Sequence, residues 1–160
     1  MINKEKVKQL VLSGIENSDV VLVELQINAA NQIKVFLDSI NGVTINKCVE
    51  ISRLVESNLD RDEEDFELEV SSYGISQPFI LPLHYQKNVG REVEVFCEGE
   101  KSIKGILKNV ELIDDNTIKT IEILCKKKIK LEGKKKKVEI EEIARVERSE
   151  IRKAKLVPIF

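Results

Sequence analysis

The chain begins with a helical pattern of apolar residues that changes to a strand pattern. In residues 3–17, apolar side chains recur at helical spacing among lysine, glutamine and glutamate, at Val7, Leu10, Val11 and Ile15. This spacing predicts an amphipathic helix. Residues 20–28 and 33–38 alternate with period two, which predicts two strands joined by a hairpin at residues 29–32. The first strand is predicted to direct four apolar residues to one face, namely Val21, Val23, Leu25 and Ile27.

A second helix is predicted to follow the polar turn at residues 38–42. Thr44 can cap this helix, because a threonine hydroxyl accepts a hydrogen bond from a backbone N–H of the first helical turn. The apolar stripe of the helix comprises Ile45, Cys48, Ile51, Leu54, Val55 and Leu59. An acidic run at residues 60–65 closes the helix and is expected to be a solvated loop.

A third strand is predicted at residues 66–70, where every second residue is apolar. It is expected to end in a corner, because residues that are typical of turns or that interrupt a sheet follow it: Ser71, Ser72, Gly74 and Pro78. The hydroxyls at this corner are expected to cap backbone amides. The corner is either structural or a recognition edge, and physical chemistry alone favours the structural interpretation.

Two helices on a small three-stranded sheet form an α+β domain, which we place at residues 1–84. Pro78 and Pro82 predict a rigid, extended exit from it. Residues 85–160 keep a period near two, with short strands predicted at 93–97, 103–112, 117–125, 138–143 and 156–160. Because closing such a sheet removes its exposed edges, the second domain is predicted to be a small all-β barrel.

Composition adds a division of charge between the two ends of the chain. Hydrophobic residues make up 42% of the 160 residues without any tryptophan, so the cores are expected to be aliphatic. Up to Leu83 there are 7 lysines and arginines against 14 aspartates and glutamates, whereas from His84 onward there are 19 against 14. This asymmetry fits a chain that meets two different surfaces, or one partner that contains both RNA and basic protein. Solvation of two unrelated faces explains it equally well.

A lysine tract lies in the basic half of the chain. Eight lysines surround a predicted hairpin tip at residues 131–133: Lys126, Lys127, Lys128, Lys130, Lys134, Lys135, Lys136 and Lys137. Such a tip can neutralise phosphates and release their counterions. Since no aromatic residue interleaves the lysines, contact by shape and charge is expected rather than sequence-specific recognition. The alternative is a lysine-rich loop that is only solvated.

The sequence contains no catalytic constellation, so neither an enzyme activity nor a cofactor is expected. His84 is the only histidine, which removes most arrangements that need a second imidazole, and it is expected to be hydrogen-bonded to the backbone. Cys48, Cys97 and Cys125 are widely spaced and are expected to fill small apolar positions. Without a signal-peptide pattern or a long apolar run, the protein is expected to be cytoplasmic.

The third strand and its corner carry a resemblance to a known family. Leu-Glu-Val-Ser-Ser-x-Gly at residues 68–74, followed by Pro78, resembles the central signature of the bacterial ribosome maturation factor RimP family. Further similar segments follow in the family's order: Asp38 with Gly42-Val43, Cys48 with Ser52-Arg53, Leu59-Asp60, His84, Gly90-Arg91, and Lys153-Ala154-Lys155-Leu156-Val157-Pro158 with Phe160. The sequence departs from the signature at Tyr73, where the family usually has proline, and at Gln77, where it usually has arginine.

The resemblance implies both an architecture and a role. The architecture is an α+β N-terminal domain followed by a small SH3-like or Sm-like barrel. The role is that of a cytoplasmic, non-enzymatic factor that assists assembly of the small (30S) ribosomal subunit, by binding the immature particle through ribosomal protein or ribosomal RNA. A monomer is expected. The alternative is an Sm-like RNA-binding module that regulates messenger RNA.

Two sets of candidate contact residues follow from the resemblance and the lysine tract. The motif positions are candidates for partner binding: Asp38, Gly42, Glu69, Ser71, Ser72, Gly74, Pro78 and Arg91. Among them, Glu69 is expected to face a partner, whereas the two serines and Gly74 are expected to shape the corner. The eight lysines of residues 126–137 are the candidates for RNA contact.

Overall fold

Two helices and three strands form the first part of the protein. The computed structural model describes residues 2–74, 76–130, 132–133 and 135–158. Its first elements are α1 (Lys4–Ile15), β1 (Val21–Ile27), β2 (Gln32–Asp38), α2 (Ile45–Ser57) and β3 (Glu67–Ser72). β1 and β2 are antiparallel, whereas β3 pairs in parallel with the other side of β2, so the sheet order is β1-β2-β3. The predicted pair of helices with a small three-stranded sheet is confirmed.

The helices begin where capping side chains satisfy their first backbone amides. The Asn3 side chain accepts a hydrogen bond from the backbone N–H of Lys6 at 3.1 Å, and the Thr44 hydroxyl accepts one from that of Lys47 at 3.1 Å. The aliphatic core lies between the helices and one face of the sheet. Its most deeply buried residues are Val7, Val11, Ile33, Val35, Leu37, Ile51 and Val55.

A β-bulge in β1 changes which of its side chains face this core. The register with β2 shifts between Leu22 and Glu24, so that one residue of β1 is left over. Leu25 is buried as predicted, but upstream of the bulge Leu22 packs against the core, and Val21 is 36% exposed. The prediction that Val21 and Val23 share the buried face is wrong, because one extra residue reverses the alternation.

The second part of the protein is mainly a five-stranded antiparallel sheet. Its elements are α3 (Pro82–Gln86), β4 (Glu92–Cys97), β5 (Lys101–Asp114), β6 (Thr117–Lys130), β7 (Lys137–Glu147) and β8 (Ile151–Leu156). The strand order is β7-β6-β5-β4-β8, and no pairing between β7 and β8 closes the sheet within the described residues. The last strand pairs with β4 and lies earlier than the predicted strand at 156–160, of which residues 159 and 160 are outside the described residues.

The segment that was expected to be an extended exit contains the short helix α3. Pro82 stands at its start, where the missing N–H of proline removes no helical hydrogen bond, so proline there favours a helix. The backbone N–H of Phe79 donates to the carbonyl of Ala154 at 2.7 Å, and the rings of Phe79 and Tyr85 lie 5.0 Å apart. The chain accordingly divides into two compact units, Met1–Gly74 and Ile75–Phe160, ahead of the boundary expected after His84. That each unit is an independently folding domain stays a prediction.

The two neighbours of β5 pair with different halves of the strand. Its first half, up to Ile106, pairs with β4, and its second half, from Ile106 onward, pairs with β6. Such stagger between the neighbours of one strand is typical of strongly coiled, barrel-like sheets. Gly105 lies just before the change of partner, where a Cβ atom would collide with the backbone carbonyl oxygen of Leu124. A side chain at this position therefore requires the neighbouring backbone to shift.

Replacing Gly105 with alanine should destabilise the second unit. Because the colliding atom belongs to the backbone, β6 must move away from β5, and overpacking of this kind costs about 1–3 kcal/mol. Urea unfolding followed by circular dichroism measures the change, with the exposed Ser102→Ala on the same strand as control. If Gly105→Ala unfolded at the same urea concentration as the parent, the close approach would not be important for stability.

Candidate functional site

The loop at residues 38–42, here called the Asp38 loop, is held by its own polar side chains. The carboxylate of Asp38 accepts the backbone N–H of Ser39 at 2.8 Å. The hydroxyl of Ser39 donates to Asp19 at 2.8 Å, and the side-chain amide of Asn41 donates to the same oxygen at 3.2 Å. The hydrogen bonds from Ser39 and Asn41 hold the pKa of Asp19 below its ordinary value, and the bond from Ser39 has the larger effect. Gly42 has a φ of +84°, a left-handed backbone conformation that glycine adopts more readily than other residues.

Two family-motif candidates, Asp38 and Gly42, are thus explained by the geometry of the loop. Asp38 is buried at the end of β2, and Gly42 lies in the loop that joins β2 to α2. Asp19 and Ser39, which complete the loop, were missed by sequence analysis. Asp19 is distant in the chain, and an isolated aspartate before a strand carries no pattern that would reveal its partners.

The motif serines lie in a strand and not in a turn. Ser71 and Ser72 are the last residues of β3, opposite Phe36 and Leu37 of β2. The prediction that the turn begins at Ser71 is wrong, because both serines belong to the strand. The hydrogen bonds between β3 and β2 continue past Val70. The backbone N–H of Tyr73 still donates to the carbonyl of Leu37, at 2.8 Å.

A groove between α2 and β3, here called the α2–β3 groove, adjoins these serines. It has a volume of about 480 Å³, and its lining is formed by Val43, Ile45, Cys48, Val49, Ser52, Leu68, Glu69, Val70, Ser71 and Ser72. Ile45 is 83% exposed and Val49 is 40% exposed, so the groove presents aliphatic side chains to solvent. Glu69 is also exposed, and that it faces a partner stays a prediction.

The remaining motif candidates lie at the end of the first unit and in the second. Gly74 is exposed at the end of the first unit, and Pro78 is half-buried in the second. Arg91 is exposed just before β4, with its guanidinium 3.5 Å from the side-chain oxygen of Asn88. His84 is buried, and its Nδ1 accepts the backbone N–H groups of Ile80 and Leu81 at 2.9 and 3.0 Å. The expected backbone hydrogen bonding of His84 is confirmed.

The lysine tract lies on a long antiparallel hairpin. β6 pairs with β5 only up to Leu124, whereas its pairing with β7 continues to Lys130 opposite Lys137. We call the ribbon formed by residues 125–130 and 137–142, together with its turn, the basic hairpin. Gly133 in the turn has a φ of +80°, which agrees with the predicted hairpin tip. Lys134 lies outside the described residues.

The arms of the basic hairpin are partly neutralised across the strands. The amine of Lys127 lies 2.8 Å from Glu142, and that of Lys126 lies 3.8 Å from Glu139. The hydrogen bond and charge of Glu142 raise the pKa of Lys127 above its ordinary value. Lys128 lies opposite Glu139 in the register. Three of the eight lysines therefore face carboxylates of their own hairpin, which the local sequence does not show.

The tip of the hairpin retains a concentrated positive charge. Its described lysines are all exposed, and no described carboxylate lies within 4.0 Å of their amines: Lys130, Lys135, Lys136 and Lys137. Lys130 and Lys137 face each other across the last pair of the ladder. RNA contact by any of the eight lysines stays a prediction.

Comparisons with known proteins agree with the motif. The family model for the RimP N-terminal domain matches residues 10–76, which include the Asp38 loop and β3. The ribosome maturation factor RimP of Christiangramia forsetii is 45% identical over 117 residues, covering 72% of this chain and 74% of that protein. The chain belongs to the RimP family of ribosome maturation factors. The resemblance seen in the sequence is confirmed.

Other RimP proteins match to a similar extent. That of Flavobacterium psychrophilum is 46% identical over 96 residues, which cover 59% of this chain and 62% of the relative. That of Chlorobium limicola is 32% identical over 127 residues, which cover 67% of this chain and 72% of the relative. Across the described ranges of this RimP family member, no helix is long and apolar enough to span a membrane, and no three potential ligand side chains cluster as a metal site would require.

Tyr73 packs on the sheet face that carries Phe36. The two rings meet edge to face, with centroids 6.3 Å apart. Burial of the phenol, followed by the charges of Glu24 and Asp38, raises the pKa of Tyr73 above 10.0.

The ionisation of Tyr73 tests this packing. In a Tyr85→Phe variant, which leaves one tyrosine, the tyrosinate absorbance should appear at higher pH than in free tyrosine, and Glu24→Gln should lower the pKa. Because the folded state holds the proton more tightly, the free energy of unfolding should fall as the pH rises above about 10. The exposed Glu16→Gln is the control. An ordinary titration unaffected by Glu24→Gln would contradict the described packing.

Proposed function

We propose that the protein assists assembly of the small ribosomal subunit by binding the immature particle with two surfaces of opposite charge. The first unit contacts a basic ribosomal protein, and the basic hairpin of the second unit contacts ribosomal RNA. The protein acts as a single copy, in the cytoplasm and without catalysis. The relatives' name, ribosome maturation factor, supports the role in general terms.

The main support for the proposal is that the net charge changes from negative to positive between the two units of the structure. Residues 75–83 carry no charged side chain, so the ratio of 7 basic to 14 acidic residues applies to the whole first unit. The second unit accordingly has the ratio of 19 to 14. A phosphate backbone is repelled by the first unit and attracted by the second, whereas a basic protein experiences the reverse.

The tip of the basic hairpin supports the contact with RNA. Its lysines are exposed and lie at the end of a ribbon that extends past β5. Lysine amines there can replace the counterions of several phosphates, and this release of counterions gives affinity that falls with salt. Because lysines alone recognise charge and shape, RNA structure is recognised rather than a base sequence.

The proposal includes an SH3-like barrel for the second unit. The staggered pairing of β5 and the close approach of Gly105 to β6 support strong coiling of the sheet. A non-catalytic role is supported by His84, whose Nδ1 accepts two backbone hydrogen bonds and therefore cannot serve as a base at that atom.

Sedimentation of a bacterial lysate on sucrose gradients tests the proposed role. The full-length protein should be recovered with free small subunits and not with translating ribosomes, and recovery should decrease as salt is raised, since both contacts depend on charge. Equal recovery with complete ribosomes, or none with any subunit, would refute the proposal. Tight binding to short single-stranded RNA without any ribosomal association would favour the Sm-like alternative.

A lysine variant tests the contribution of the hairpin tip. Changing Lys135, Lys136 and Lys137 together to glutamine should weaken binding to small-subunit ribosomal RNA. The slope of log affinity against log salt should fall by about 0.7–0.9 for each lysine that contacts a phosphate. The matched control is Lys127→Gln with Glu142→Gln, which removes an ion pair of the arm and leaves the net charge unchanged. An unchanged slope in the tip variant would mean that the tip is only solvated.

A further inference from the structure

β3 is an edge strand with unused backbone groups. The backbone N–H of Glu67 donates to Asn31 at 3.1 Å, and that of Tyr73 donates to Leu37 at 2.8 Å, so alternate residues from Glu67 onward face β2. By the same alternation, the N–H and C=O groups of Leu68, Val70 and Ser72 point away from β2. No described strand pairs with that side of β3.

The helix side of this edge is apolar and open. The side chains of Leu68 and Val70 pack towards the core and line the α2–β3 groove. Ile45 and Val49 of α2 line the same groove and are 83% and 40% exposed. Proteins commonly protect an edge strand by covering it or by placing charges on it. Here the groove beside the edge presents aliphatic side chains to solvent.

The opposite face of the edge is acidic. Glu67 and Glu69 are exposed on β3, and Glu67 accepts a hydrogen bond from the side-chain amide of Gln32 at 3.1 Å. Lys34 of β2 lies opposite Glu69 in the register. A strand added on the outer side of β3 would therefore have two carboxylates beside one of its faces and the aliphatic groove beside the other.

We propose that β3 and the α2–β3 groove bind an extended basic segment of a partner protein as a fourth strand of the sheet. Main-chain hydrogen bonds to Leu68, Val70 and Ser72 hold the segment, as in other cases of strand addition. Its aliphatic side chains enter the groove on Ile45 and Val49, and the alternating lysines or arginines lie beside Glu67 and Glu69. The inference rests on the proposed function, because it gives the chemistry by which the first unit recognises a basic ribosomal protein.

Charge decides between this occupant and two others. A nucleic acid strand would place its phosphates beside Glu67 and Glu69, which is repulsive. A second copy of the chain, paired edge to edge through β3, would bring two pairs of the same glutamates together, and like charges on adjacent strands destabilise a sheet. A segment that alternates basic and aliphatic residues matches both faces of the edge.

Nuclear magnetic resonance of the full-length, nitrogen-labelled protein tests the proposal directly. The probe is the peptide acetyl-Lys-Val-Arg-Val-Lys-Ile-Arg-Gly-amide, compared with a version in which glutamate replaces each lysine and arginine, and with one that is N-methylated at alternate residues. The first peptide should shift the amide signals of Leu68, Val70 and Ser72 and slow their hydrogen exchange. The acidic and the N-methylated peptides should bind at least about tenfold more weakly, since each lacks one of the two recognition elements.

Variants of the groove separate strand addition from attraction by charge alone. Ile45→Gln with Val49→Gln should weaken the first peptide about tenfold or more, because two apolar contacts are lost without a change of charge. Two exposed aliphatic residues outside the groove provide matched controls, Leu12→Gln on α1 and Ile113→Gln on β5, with 37% and 67% exposure. Unfolding in urea checks that all variants remain folded.

The outcomes distinguish this inference from the proposed function. Equal binding of the acidic peptide, equal binding by the groove variant, or shifts confined to other residues would overturn strand addition at β3. If the groove variant lost the peptide and also sedimented less with small subunits, both proposals would be supported. If the peptide bound as expected but the protein never sedimented with small subunits, strand addition would stand and the proposed function would fail.

Discussion

The parallel pairing of β3 with β2 is the constraint on which the first unit depends. Parallel neighbours cannot be joined by a tight hairpin, so the chain must cross over one face of the sheet, and α2 provides this crossing. The crossing buries Ile51 and Val55 and completes the core. It also leaves β3 as the last strand, with Ile45 and Val49 of the helix beside an open edge. The connection that stabilises the unit thus also creates its groove.

Much of this architecture could be predicted from residue patterns, and the failures have local causes. The two helices and the order of the first five elements follow from periodicity, and Thr44 caps α2 as its position indicates. The bulge in β1 was missed because Val20 to Val23 is continuously apolar, which leaves the phase of alternation undetermined. The helix α3 was missed because Pro82 was treated as a breaker of strands, although proline also favours a helix start.

The candidate sites were less predictable, because their geometry depends on contacts between distant residues. The lysine tract is evident in the sequence, but the pairing of Lys127 with Glu142 depends on the register of β6 and β7. The partner of the Asp38 loop, Asp19, precedes another strand. The α2–β3 groove forms only when α2 and β3 have packed beside each other. Sequence patterns therefore identified the residues that carry charge and motif, but not which of them remain available to a partner.

The two proposed contacts should differ in their response to salt, although both involve charge. Binding of phosphates by the hairpin tip depends on release of counterions and weakens continuously as salt rises. Addition of a strand to β3 depends in addition on backbone hydrogen bonds and on burial of apolar side chains, which salt screens little. Contact through the first unit should therefore persist at salt concentrations that abolish contact through the hairpin. If both proposed contacts form, RNA should be released before the protein partner as the salt concentration rises.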